Sequence, residues 1–79
     1  MAWNKEEHVE RIKLEYMPEI KVFYQDREGK PGYKYKFWIN ESKGSFPTIE
    51  EAKKNALITV KALLQETIKS IEEIEEESV

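Results

Sequence analysis

Residues 48–77 constrain the fold of this 79-residue chain more than any other segment. Thr48 and Glu51 have the spacing of a capping box, which predicts that a helix begins here. Apolar residues then recur at helical spacing: Ile49, Ala52, Ala56, Val60, Leu63, Thr67, Ile71 and Ile74, flanked by Leu57, Leu64 and Ile68. A helix of about 30 residues is roughly 45 Å long, so its apolar side needs a long surface to cover it.

Two segments of alternating polarity predict the strands that this helix covers. In residues 19–26 and 32–40, aromatic and β-branched residues recur at every second position, as is typical of strands. Pairing Tyr24 with Tyr33 places seven side chains on one face: Ile20, Val22, Tyr24, Tyr33, Tyr35, Phe37 and Ile39. Strands of about eight residues are roughly 27 Å long, so we expect the helix to extend beyond the sheet.

The N-terminal segment, residues 4–16, has two interpretations. Asn4 and Glu7 have the spacing of a capping box, and Val9, Ile12 and Tyr16 would share one helical face, which favours a short helix. The alternative is a strand, because apolar and polar residues also alternate from Ile12 onward.

The sequence as a whole predicts one small α+β domain over residues 1–79. Its antiparallel sheet has two long strands and one short strand, the latter at residues 44–46. A long C-terminal helix covers one face of the sheet, and a short N-terminal helix precedes the first strand.

Few side chains could support catalysis or metal binding. The chain has no Cys, one His and one Asp, so a nucleophile with its base and orienting group is not available. His8 lies in a run of charged residues that is typical of a solvated surface, and no glycine-rich phosphate loop is present. We expect no catalytic site, no metal and no cofactor. Since no apolar run could span a membrane and no signal peptide is apparent, we expect a cytoplasmic protein with no membrane partner.

The other face of the predicted hairpin is a candidate partner-binding site, composed of Lys21, Phe23, Lys34, Lys36 and Trp38. Exposed aromatic rings beside lysines can anchor a protein contact or stack on nucleic-acid bases. The alternative is an ordinary solvated sheet face, on which lysine stems shelter scattered aromatic rings.

Two further surfaces are candidates for binding. Residues 20–44 carry six positive and three negative charges, and a possible nucleic-acid rim comprises Arg27, Lys30, Lys43, Lys53 and Lys54. Acidic residues lie among them, so a mixed solvated surface is the alternative. A possible self-association stripe comprises Leu64, Ile68, Ile71 and Ile74; alternatively, the N-terminal segment of the same chain covers it.

The order of predicted elements resembles that of double-stranded-RNA-binding domains. Their last helix begins Ser-Lys-Lys-x-Ala-Lys-x-x-Ala-Ala, and residues 48–57 read Thr-Ile-Glu-Glu-Ala-Lys-Lys-Asn-Ala-Leu. In that family the basic pair clamps phosphates. Ile49 and Glu50 occupy the positions of the pair, and only Lys53 matches. The resemblance therefore implies a shared fold, with poor RNA binding and a role in protein contact or dimerisation.

The junction before this helix is similar to that of three other families. Residues 44–52 read Gly-Ser-Phe-Pro-Thr-Ile-Glu-Glu-Ala, which resembles the Gly-x-Phe-x-Thr-x-x-Glu-Ala junction of ethylene-response DNA-binding domains and the related junction in arm-binding domains of phage integrases. The start of the helix also resembles that of HicB-type antitoxins, which reads Thr-x-x-Glu-Ala. Because catalytic side chains are scarce and the phosphate-clamping pair is replaced, we predict a non-enzymatic interaction module that binds a protein partner or itself as a homodimer. The alternative is a protein that binds double-stranded RNA or DNA.

Overall fold

A computed structural model of the chain describes residues 2–17, 19–27, 30–38 and 40–77. Within these residues there are five strands and one helix: β1 (Asn4–Glu6), β2 (Val9–Lys13), β3 (Glu19–Arg27), β4 (Lys30–Phe37), β5 (Asn40–Glu41) and α1 (Ile49–Glu77). The strands form an antiparallel sheet in which each strand lies beside its neighbours in sequence. The α+β class is confirmed, but the sheet has five strands rather than three.

The central hairpin has the predicted register. Tyr24 pairs with Tyr33, and Val22 pairs with Tyr35. Because paired residues share a face of the sheet, the predicted apolar side chains of β3 and β4 lie on the face against which α1 packs. Ile20, Val22 and Phe37 are buried there, whereas Tyr24 is 42% exposed. The buried residues of this core are Ile12, Ile20, Val22, Phe37, Ala52, Ala56 and Val60.

The end of β4 differs from the prediction. The strand ends at Phe37, so it does not continue to residue 40. Ile39, predicted to share the apolar face, lies outside the described residues. Trp38 follows β4 in a turn and has a positive φ of 51°, which places it outside the alternating pattern of the strand.

The N-terminal segment forms a β-hairpin, so the predicted helix over residues 4–16 is wrong. The strand alternative is correct for Val9–Lys13. An edge of β3 would otherwise leave backbone N–H and C=O groups unpaired, and β2 pairs with them while placing Ile12 opposite Ile20. Tyr16, which would have lain on the apolar face of a helix, is 96% exposed.

The edge of β4 is covered by two separate contacts. β5 pairs with the end of β4, and further along the chain Phe46 and Tyr33 exchange two backbone hydrogen bonds of 2.8 Å. Between these contacts, the backbone N–H of Tyr35 donates a hydrogen bond to Ser42 Oγ at 3.2 Å. The predicted strand at residues 44–46 is thus reduced to an isolated bridge at Phe46.

Helix α1 begins where the capping box predicts. The backbone N–H of Glu51 donates a hydrogen bond to Thr48 Oγ1 at 3.2 Å. Buried Ala52 and Ala56 allow the helix to approach the sheet closely, and Val60 is the last buried residue in the helix as described. Residues 61–77 are all exposed, so the helix does extend beyond the sheet.

The packing of residue 45 against β4 can be tested at Gly32. A Cβ atom on Gly32 would lie 2.5 Å from the Cβ of Ser45. We expect Gly32→Ala to lower the free energy of unfolding by about 1–3 kcal/mol, because overpacking forces the backbone apart. Urea unfolding measures this change. Gly44→Ala is the matched control, since nothing lies within 4 Å of its added Cβ; equal losses in both variants would contradict the expected packing.

Candidate interaction surfaces

The face of the sheet opposite α1 carries most of the predicted partner site. Lys21 pairs with Lys36, and Phe23 pairs with Lys34, so these four side chains share this outer face. β2 extends the same face, because Arg11 pairs with Lys21. The sequence prediction missed Arg11 because it assigned the segment to a helix, although the alternation of charged and apolar residues was the signal for a strand.

Carboxylates neutralise part of the positive charge on the outer face. Lys34 Nζ lies 3.2 Å from Glu41 Oε1. Arg11 Nη1 lies 3.4 Å from a carboxylate oxygen of Glu6, and its Nε lies 3.6 Å from one of Glu19. Ion pairs of this kind are typical of an ordinary solvated sheet face, and exposed ion pairs contribute little to stability.

The two aromatic residues of the predicted site lie in different settings. Lys21 Nζ lies 5.4 Å from the centroid of the Phe23 ring, within the range of a cation–π contact. Trp38 is 58% exposed in the turn after β4, and it does not lie beneath the helix as part of the buried core. Its exposure agrees with the sequence interpretation, and its role in binding stays a prediction.

The five residues of the possible nucleic-acid rim do not share one environment. Lys43 and Lys54 are exposed. Arg27 and Lys30 pair through their backbones, and their side chains lie outside the described part of the structure. The side chain of Lys53 is only 13% exposed and contacts a carboxylate of β2. Binding of nucleic acid by this rim stays a prediction.

A largely buried ion pair joins β2 to α1. Lys53 Nζ donates a hydrogen bond to Glu10 Oε1 at 3.0 Å, and these side chains are 13% and 8% exposed. A carboxylate oxygen of Glu50 lies 3.4 Å from the same ammonium, and the centroid of the Trp3 ring lies 5.2 Å from it. Desolvation by burial lowers the pKa of Lys53. The hydrogen bond to Glu10 and the negative charges of Glu10 and Glu50 raise the pKa by more than burial lowers it, so the pKa lies above the usual 10.5.

Removal of the Lys53 ammonium should destabilise the fold. We expect Lys53→Met to lower the free energy of unfolding by about 3 kcal/mol, because it leaves the Glu10 carboxylate buried without its partner. Lys54→Met, at the exposed neighbouring position, should change it by less than about 0.5 kcal/mol. Urea unfolding of both variants measures the difference, and equal stabilities would argue against a structural role for the ion pair.

The ion pair also predicts a loss of stability at alkaline pH. Because the pKa of Lys53 is higher in the folded chain than in the unfolded chain, its contribution is fully present below pH 10.5 and is lost as the pH rises through the folded value. From about pH 9 to 12, the melting temperature of the natural chain should therefore fall more steeply with pH than that of Lys53→Met. Parallel curves would exclude this contribution.

The distal helix, which we define as residues 61–77, projects beyond the sheet. Five large aliphatic side chains line it at helical spacing, and each is between 39% and 62% exposed. We call this set the distal stripe: Leu63, Leu64, Ile68, Ile71 and Ile74. It includes all four predicted self-association residues. It continues the side of the helix that buries Ala56 and Val60, because Leu64, Ile68, Ile71 and Ile74 follow Val60 at intervals of three or four residues, with Leu63 beside Leu64.

The N-terminal segment does not cover the distal stripe. Trp3 and Ile12 pack instead in the core with Ala56 and Val60, which belong to the first half of α1. In the described residues, the distal stripe therefore has no partner within the chain.

No protein-family model, curated protein or solved structure matches this chain. The N-terminal hairpin also differs from the helix-first order that the resemblance to double-stranded-RNA-binding domains implies. No helix in the described ranges combines the length and apolar character needed to cross a membrane.

Proposed function

We propose that this protein is a small, non-enzymatic interaction module that binds a protein partner through the distal stripe. In this proposal the sheet and the first half of α1 form a folded base. The distal helix is the contact element that the base holds out into solvent.

The exposure of the distal stripe is the observation that supports this proposal. Its residues line a segment of 17 residues, or about 25 Å. An isolated helix of this length is marginally stable in water, and most helical stability in proteins comes from packing of an apolar face. A contiguous apolar surface on a folded domain is typical of a site for another protein. A partner that covers the distal stripe would supply the missing packing.

The chemistry of the distal helix favours a protein over a nucleic acid. Residues 66–79 carry one positive and six negative charges, so this end of the chain repels phosphates. Aliphatic side chains at three- and four-residue spacing match the anchors of a helix that packs against a helix or in an apolar groove. We therefore expect a helical or grooved protein surface as the partner.

Site-specific photocrosslinking tests this proposal. A photoreactive amino acid is placed at Ile71 of the full chain, in the cells that produce it, and at Lys69 as the matched control on the polar side of the helix. We expect a discrete covalent adduct with a protein from position 71 and little or none from position 69. Ile68→Lys should abolish the adduct, because it places a charge in the contact.

Two results would overturn the proposed function. The first is the absence of an adduct at position 71. The second is equal crosslinking at positions 69 and 71, which would indicate random collisions rather than a contact through the distal stripe.

A further inference from the structure

We infer that the distal stripe is covered by a second copy of this chain, whose distal helix packs against it in antiparallel orientation. This inference rests on the proposed function and names its partner. Three observations support the inference: the length of the exposed segment, its repeat pattern and the distribution of its charges.

The exposed segment of the helix has the length that a second copy would cover. Val60 is the last buried residue of α1 among those described, and the helix is described to Glu77. Two copies crossing antiparallel about residue 69 place the partner's Glu77 level with Lys61 along the helix axis. The partner's helix would thus end where the sheet begins to cover α1. Each distal helix covers the other over its whole length without displacing the sheet.

The seven-residue repeat of a coiled coil runs from Leu57 to Ile74 and so includes the distal helix. Leu57, Leu64 and Ile71 occupy position a of this repeat, and Val60, Thr67 and Ile74 occupy position d. In the antiparallel arrangement about residue 69, Leu64 lies beside the partner's Ile74, and Thr67 lies beside the partner's Ile71. Ile68 flanks these layers, near the partner's Ile68. Two outer Leu–Ile layers and two central Thr–Ile layers then form the contact, with Ile68 beside them.

Thr67 is compatible with a position in this contact. Its hydroxyl donates a hydrogen bond to the backbone carbonyl of Leu63 at 2.9 Å. Since the polar hydrogen is already satisfied within the helix, the Thr67 methyl group can face the partner's Ile71. Burial of this residue therefore leaves no unpaired hydroxyl donor in the contact.

The charges of the distal helix favour the antiparallel orientation. Five glutamates lie between residues 72 and 77, and a parallel pair would place both clusters side by side. The antiparallel pair separates the clusters to opposite ends, about 25 Å apart, which is well beyond the screening length of about 8 Å at physiological salt. It also brings Lys61 near the partner's Glu75, because both residues occupy position e of the repeat and these positions face each other in an antiparallel pair. Symmetry provides this attraction twice.

Sedimentation equilibrium of the full chain tests the inference. We expect a dimer of twice 9.4 kDa that dissociates on dilution in the micromolar range, because a contact of this size is at the small end of specific interfaces. Ile71→Lys should abolish the dimer. Circular dichroism should show that this variant keeps its sheet and helix.

Charge reversal tests the orientation. Lys61→Glu and Glu75→Lys should each raise the dissociation constant about tenfold, since each converts two attractive pairs into repulsive ones. An equimolar mixture of the two variants should restore the natural affinity, because attraction returns in the mixed dimer. Lys69→Glu is the matched control, as it makes the same change of net charge on the polar side of the helix.

The possible outcomes separate this inference from the proposed function. A monomer at every concentration, together with a position-71 adduct to a different protein, would overturn the second copy as partner and leave the proposed function standing. A dimer that Ile71→Lys does not weaken would exclude the distal stripe as its interface. A dimer affected equally by Lys61→Glu and Lys69→Glu would exclude the antiparallel pairing.

Discussion

The helix of this protein is longer than the sheet that supports it. α1 contains 29 residues, or about 43 Å, whereas its buried residues end at Val60. The longest dimension of the molecule is accordingly 54 Å and the shortest is 18 Å. Because the sheet covers less than half of the helix, the apolar side of α1 is divided into a part that makes the core and a part that remains in solvent.

Two polar contacts fix the direction in which the helix leaves the sheet. The Tyr35 hydroxyl lies 3.0 Å from Thr59 Oγ1, and the Lys53 ammonium donates to Glu10. One contact reaches β4 and the other reaches β2, so they hold the helix on both sides of the central strand β3. Beside these contacts, buried Ala52 and Ala56 bring the backbone of the helix close to the sheet. Hydrophobic burial adds the stability that polar contacts of this kind do not supply.

Local patterns in the sequence predicted the parts of the fold that depend on one element or one hairpin. The alternation around Tyr24 and Tyr33 gave the register of β3 and β4, and the Thr48 capping box gave the start of α1. The N-terminal segment was misassigned because its local signals conflict, and pairing with the edge of β3 decides between them. The contact between Glu10 and Lys53 could not be predicted, since the two residues are 43 positions apart and only the assembled sheet brings them together.

The Glu10–Lys53 pair has a consequence for how the sheet assembles. A shift of β2 by one residue along β3 would turn Glu10 to the solvent side and bring Arg11 beneath the helix, because alternate side chains point to opposite faces. Two cations would then meet at Lys53 away from water, where repulsion is strong. Repulsion between the two cations and loss of the contact between Ile12 and Ile20 would therefore both destabilise the misaligned sheet. Glu10 and Ile12 together thus select one alignment of this short strand.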